Sequence, residues 1–122
     1  MACDLAVASE ETLMGAPEVR FGSGIVAMLT PYATGPKQAK ESLLTGNDRM
    51  SAQRVFEMGL INRVVPDGRT FEEAMALAAQ ITSAATPSVQ KTKRASNRTF
   101  ELAKMREGLA EALEWRNQNG QF

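Results

Sequence analysis

Residues 43–68 read LLTGNDRMSAQRVFEMGLINRVVPDG, and the order of signals within them decides the fold. Gly46 stops an apolar helical stretch, KQAKESLLT at Lys37–Thr45, in which Ala39, Leu43 and Leu44 fall on one face. Asn47–Arg49 reads as a loop. Ser51 then stands at a cap position ahead of a short helix, Ala52–Met58, which presents Val55 and Phe56 and ends at Gly59. The chain passes directly into Leu60–Val65 (LINRVV), a β-branched run closed by the turn Pro66-Asp67-Gly68. Helix, helix, strand and turn in so short a span predict an α/β protein.

Upstream, Ala2–Ala8 (ACDLAVA) is apolar enough for a buried strand, and Thr12–Ala16 returns as a second strand after the polar turn Ser9-Glu10-Glu11. Three short strands make a poor sheet by themselves. Between the second strand and the helices lies Gly15–Gly24, GAPEVRFGSG. Glu18 is held there between Pro17 and a glycine-punctuated turn, with Gly22 and Gly24 allowing close backbone approach. One reading of Glu18 is a general acid or base facing a ligand; the other is a loop-end or helix-start residue stabilised by unpaired backbone donors. Ser23 reads as a loop residue. Ile25–Tyr32 predicts a helix that Pro31 ends or kinks.

Downstream of Gly68 the pattern is helical throughout. Thr70 with Glu73 forms a capping-box signal, and Phe71, Ala74, Met75, Ala78 and Ile81 recur at helical spacing. Thr86 caps the next helix with Pro87 in its first turn, and that helix carries Lys91, Lys93 and Arg94. A last helix to about Trp115 carries the stripe Leu102, Met105, Leu109, Ala112 and Leu113, which has no obvious partner inside a small monomer. It suits a subunit contact or a further part of the fold.

Composition excludes several functions. The 122 residues are 43% hydrophobic and 23% charged, which fits a packed chain and not a disordered one. Lys plus Arg and Asp plus Glu number 14 each, so no net field favours nucleic acid or an anionic membrane. Histidine is absent, which removes imidazole bases and the most frequent zinc ligand and leaves no metal site to predict. The single Cys3 forms no internal disulfide; its apolar surroundings predict a buried, inert thiol in a reducing cytoplasm. No apolar run reaches the ~18 residues needed to span a bilayer.

Taken together, CDLAVAS, PEVRFGSG and LLTGNDRMSAQRVFEMGLINRVVPDG, followed by helices, resemble the rear half of the crotonase superfamily, the enoyl-CoA hydratases and isomerases. The resemblance covers nearly the whole chain. It implies a spiral of β-β-α units over residues 1–68 and a carboxy-terminal helical trimerisation region over 69–122, in a cytoplasmic trimer or hexamer. It also implies an acyl-CoA substrate of fatty acid metabolism, no further cofactor, and an enolate held by two backbone amides. Glu18 matches the second of two glutamates that share one water in the hydratases. The first glutamate and both oxyanion amides are expected ahead of Met1, which leaves this chain inactive alone.

The resemblance places Gly22 at the substrate. Lys91, Lys93 and Arg94 become either contacts to CoA phosphates or a solvated helix face. Tyr32 and Trp115 line an acyl pocket or simply pack. After Glu18, where many relatives have consecutive glycines, Ser23-Gly24-Ile25-Val26-Ala27 stands instead. The alternative function is a non-catalytic crotonase-like piece acting in subunit assembly.

Overall fold

Helices dominate the computed structural model, which describes residues 3–22 and 25–118. In chain order come β1 (Val7–Ser9), β2 (Leu13–Met14), a 3-10 helix (Pro17–Arg20), α1 (Ile25–Thr34), α2 (Pro36–Thr45), β3 (Met50–Ser51), α3 (Ala52–Glu57), β4 (Arg63–Val65), α4 (Thr70–Thr82), α5 (Thr86–Leu102) and α6 (Met105–Gln118). The expected strands are present but shorter, β1 extends onto Ser9, which the sequence places in the turn, and β3 is an addition.

Each strand finds one partner. β1 and β4 are parallel, with Val7 opposite Arg63 and Ser9 opposite Val65, while β2 and β3 are antiparallel, with Leu13 opposite Ser51. The parallel pair extends past its ends through Asn62 N–H to Ala6 O and Glu10 N–H to Val65 O, both 2.8 Å. Asn62 also accepts the Ala6 N–H on its side chain at 2.8 Å, and this locks the register. Two-stranded sheets leave backbone groups open along their outer edges.

The local signals around α3 act as read. Ser51 Oγ accepts the Arg54 N–H at 3.2 Å and satisfies one of the orphan donors of the first turn. At the other end Leu60 N–H reaches Val55 O at 3.1 Å and Gly59 N–H reaches Phe56 O at 2.9 Å. That double closure needs a left-handed residue, which Gly59 supplies at φ 82°. Ser51→Ala should therefore cost about 1 kcal/mol, read as a lower urea midpoint with unchanged slope.

The main core gathers beneath α3. Ala8, Met50, Ala52, Val55, Met58 and Ile61 are buried there, with Ala6, Met14, Leu60 and Val64 packed on the margin. Half of these six are Ala or Val, so the apolar area removed from water is modest. A second packing layer places α1 between α2 and α6. Gly108 lets the α6 backbone approach the Met28 and Tyr32 side chains.

Several expectations are corrected by tertiary context. Pro31 does not end α1, which runs to Thr34, because packing on both flanks outweighs one missing donor. In α2 the buried positions are Ala39 and Ser42, whereas Leu44 is 71% exposed. Phe56 is likewise exposed, Val55 being the α3 residue that faces inward.

No capping box forms at α4: its cap position is Arg69, and Glu73 is drawn instead into an ion pair with Arg63 of β4. At α5 the cap is Ala85, so Thr86 is already helical. Lys104, a non-glycine at φ 59°, breaks the expected last helix; Leu102 therefore belongs to α5 and is exposed. Cys3 is also exposed, since pairing begins only beyond it.

Candidate active site

Glu18 is mounted on backbone from two directions. Leaving β2, the chain passes Gly15 and Ala16 and enters the 3-10 helix at Pro17, whose fixed φ suits a first helical position. Phe21 N–H closes that turn on Glu18 O at 2.9 Å. Gly22 follows at φ 76°, a conformation glycine adopts without strain. Ser23 and Gly24, which the sequence reading placed in the same turn, lie outside the described residues, as does Ala2 at the start of the expected first strand.

The loop after α2 forms the seat of this turn. Ala16 N–H donates to Asn47 O at 3.2 Å. A Cβ built on Gly15 would stand 2.2 Å from Asp48 Cα and 2.4 Å from Asn47 O, so only glycine lets the two backbones come this close. Asn47 steadies the loop by accepting the Arg49 N–H on its side chain at 3.0 Å. Val19 and Arg20 lie against Gly46, and Arg20 reaches Asp48 at 3.9 Å in an exposed pair that adds little.

Glu18 itself is half-buried. Its Oε2 is closed off from solvent and has no hydrogen-bond partner among the described residues. An unpaired buried carboxylate oxygen is costly to maintain and calls for an explanation, such as a catalytic role or an ordered water.

Gly15 and Asn47 are the positioning residues that the sequence reading missed. Asn47-Asp48 directly after a helix stop carries a turn signal. Its contact with Gly15 joins residues far apart in the chain and has no local signature.

The basic candidates are not gathered at Glu18 by any described contact. Lys91 and Lys93 both sit on α5, two residues apart, which sends them to opposite sides of the helix. Lys93 is engaged by Asp4 ahead of β1 in an exposed ion pair. Lys91 and Arg94 are exposed.

Arg98, one turn on, hydrogen-bonds Glu101 at 2.6 Å and holds that surface carboxyl below its usual range. Tyr32 donates its hydroxyl to Ala103 O at 3.2 Å, tying α1 to the end of α5. The Trp115 side chain lies outside the described residues.

An open cleft of about 400 Å³ is lined by Gln53, Phe56, Asn62, Arg63, Val64, Val65 and Glu73. Glu18 is not part of it, and its Arg63 and Glu73 charges satisfy each other. Among the described residues no three His, Cys, Asp or Glu side chains gather as metal ligands, and no helix is long and apolar enough to cross a membrane.

Short paired strands, an intervening proline-led turn presenting a carboxylate and a helical rear portion are the arrangement of a crotonase-fold protein. The family profile for enoyl-CoA hydratase/isomerase matches residues 1–119, and the chain belongs to that family, within the crotonase superfamily. The crystal structure of an enoyl-CoA hydratase/isomerase from Xanthobacter autotrophicus Py2 is 45% identical and superimposes with a TM-score of 0.84, covering 93% of this chain and 42% of that one.

A carnitinyl-CoA hydratase from Mycobacterium avium is 36% identical at a TM-score of 0.76, over 94% of this chain and 47% of its own. A Thermus thermophilus relative bearing the name enoyl-CoA hydratase is 40% identical over 95 residues, 76% of this chain and 37% of the relative. The chain thus spans roughly two-fifths of the length of the curated relatives it matches.

Proposed function

We propose that residues 1–122 contribute one carboxylate and the helical rear portion of an acyl-CoA site that adds water across, or shifts, the double bond next to a thioester. The observation that carries this reading is the Glu18 carboxylate, whose Oε2 is buried and without a hydrogen-bond partner among the described residues, on a turn fixed to the 46–48 loop. In that role Glu18 exchanges a proton with the water or the substrate carbon. A partner glutamate and the two amides that stabilise the enolate oxygen belong to portions outside residues 1–122. The acyl-CoA is substrate, and no separate cofactor enters.

On this reading Gly22 lets backbone approach the substrate. Lys91 is free to meet a CoA phosphate, while Lys93 must first leave Asp4. Residues 1–68 and 69–122 divide the work between catalysis and trimer or hexamer assembly in the cytoplasm.

A purely assembling role is the second reading, favoured by the apolar side chains left open on α4 and α5. Phe71 is 77% exposed and Leu102 69%.

Turnover separates the two. The 122-residue chain alone should show no hydration of crotonyl-CoA above background, since one carboxylate without oxyanion donors lacks most of the required stabilisation. Joined behind the amino-terminal portion of the Xanthobacter relative, the same residues should restore hydration well above background. An inert chimaera that folds and assembles would favour the assembly reading, and turnover by the lone chain would contradict the division of the site.

A further inference from the structure

The turn that carries Glu18 is seated on both sides of the carboxylate, each time on the residues that end α2. Ahead of Glu18, Gly15 and Ala16 lie on the backbone of Asn47 and Asp48. Behind it, Val19 and Arg20 lie on Gly46. A Cβ built on Gly46 would stand 2.9 Å from Val19 Cγ1, 3.1 Å from Arg20 Nε and 3.2 Å from Arg20 Cγ. Non-bonded carbons ordinarily stand about 3.5–4 Å apart, so this second seat is filled to contact by a bare Cα.

Gly46 is also the cap residue of α2, at φ 60° and ψ 32°. A left-handed helix end suits glycine or asparagine, and capping alone does not choose between them. The contact does. Asparagine keeps the backbone conformation but brings a Cβ, and that Cβ runs into the Val19 side chain.

We infer that Gly46 is a positioning residue for Glu18: the missing side chain at the end of α2 is the seat of Val19 and Arg20, and it sets how closely the carboxylate turn lies on that helix end. The inference rests on the acyl-CoA reading given above. Gly46 touches no reacting atom. It holds residues 19 and 20 while Asn47 and Asp48 hold 15 and 16, so a push at Gly46 reaches Glu18 through the adjoining peptide. Misplacing a reacting group by about 1 Å costs on the order of a hundredfold in rate, and a smaller push costs correspondingly less.

Gly46→Asn in the chimaera tests this, with Gly68→Asn as control. Both glycines have positive φ, but a Cβ at Gly68 meets nothing within 4 Å. Gly46→Asn should lower kcat for crotonyl-CoA hydration about tenfold with KM within a few-fold of the parent, because positioning is lost while binding is kept. Gly68→Asn should leave kcat at the parent value. Val19→Ala removes Cγ1, the nearest obstacle. Added to Gly46→Asn, it should restore kcat to within about threefold of Val19→Ala alone, a coupling expected only of residues in contact.

A Gly46→Asn kcat equal to the parent, an equal loss in Gly68→Asn, or a double variant no faster than Gly46→Asn would overturn the inference alone, with Glu18→Gln still slow. Where Gly46→Asn by itself does not fold, the double variant decides: a kcat near that of Val19→Ala supports the inference, and a deficit of about tenfold overturns it. A Glu18→Gln rate equal to the parent would bring down the acyl-CoA reading and the inference together.

Discussion

Glu18→Gln in the chimaera should lower the rate of crotonyl-CoA hydration by about a hundredfold or more, the scale of general acid/base help. Gln keeps the shape and hydrogen-bonding reach of the side chain and removes only its ability to take and return a proton. Substrate binding should be nearly unchanged, because the thioester is gripped by other groups. The loss therefore belongs in kcat, with KM within a few-fold of the parent. Steady-state hydration followed by loss of the enoyl absorbance measures both constants. A near-normal kcat would remove Glu18 from the chemistry.

The second large effect is structural and lies three residues earlier. Gly15→Ala puts a methyl group 2.2 Å from Asp48 Cα and 2.4 Å from Asn47 O, and both obstacles are backbone. No rotamer change relieves such a clash; the β2 end or the 47–48 loop must move. A cost of about 3 kcal/mol or more is expected, at the upper end for overpacking.

Because Ala16 N–H is bonded to Asn47 O, the displacement also shifts the base of the Glu18 turn. The variant chimaera should lose most of its turnover together with its stability, read as a fall in the urea midpoint. An unchanged midpoint would show that the two backbones are not in contact in solution.

What could be read from the sequence is what depends on near neighbours. Ser51, Gly46 and Gly59 announce the ends of α2 and α3 because capping is settled within a few residues, and Pro66-Asp67-Gly68 closes β4 for the same reason. The resemblance of CDLAVAS, PEVRFGSG and the 43–68 run to the crotonase superfamily is borne out by the family match over residues 1–119.

Local signals fail where a distant partner decides. Thr70 and Glu73 carry a capping box, yet Arg63 claims the glutamate from β4. Pro31 signals a helix end, yet α1 is held on both flanks by α2 and α6. The break before α6 falls on Lys104, a residue type that gives no warning of a left-handed conformation.

The site divides in the same way. Pro17-Glu18 is visible as a carboxylate on a turn, while the loop that seats it is not, since the fit of Gly15 against Asn47 and Asp48 exists only in three dimensions. Lys93 looked available for a phosphate, and Asp4 answers it from far up the chain. The apolar stripe of α4 reads as core or subunit contact by spacing, and Phe71 and Met75 are exposed among the described residues. Spacing identifies a face but not what covers it.

Where the substrate's reactive carbons sit decides whether Glu18 takes part in the chemistry. A crystal structure of the chimaera with a bound, non-reactive acyl-CoA thioester analogue measures this directly. The Glu18 carboxylate should lie within reach of the carbon pair next to the thioester, about 3 Å or one water away. A thioester bound with those carbons beyond that reach, and with Glu18 Oε2 still sealed and unpaired, would contradict that role for Glu18.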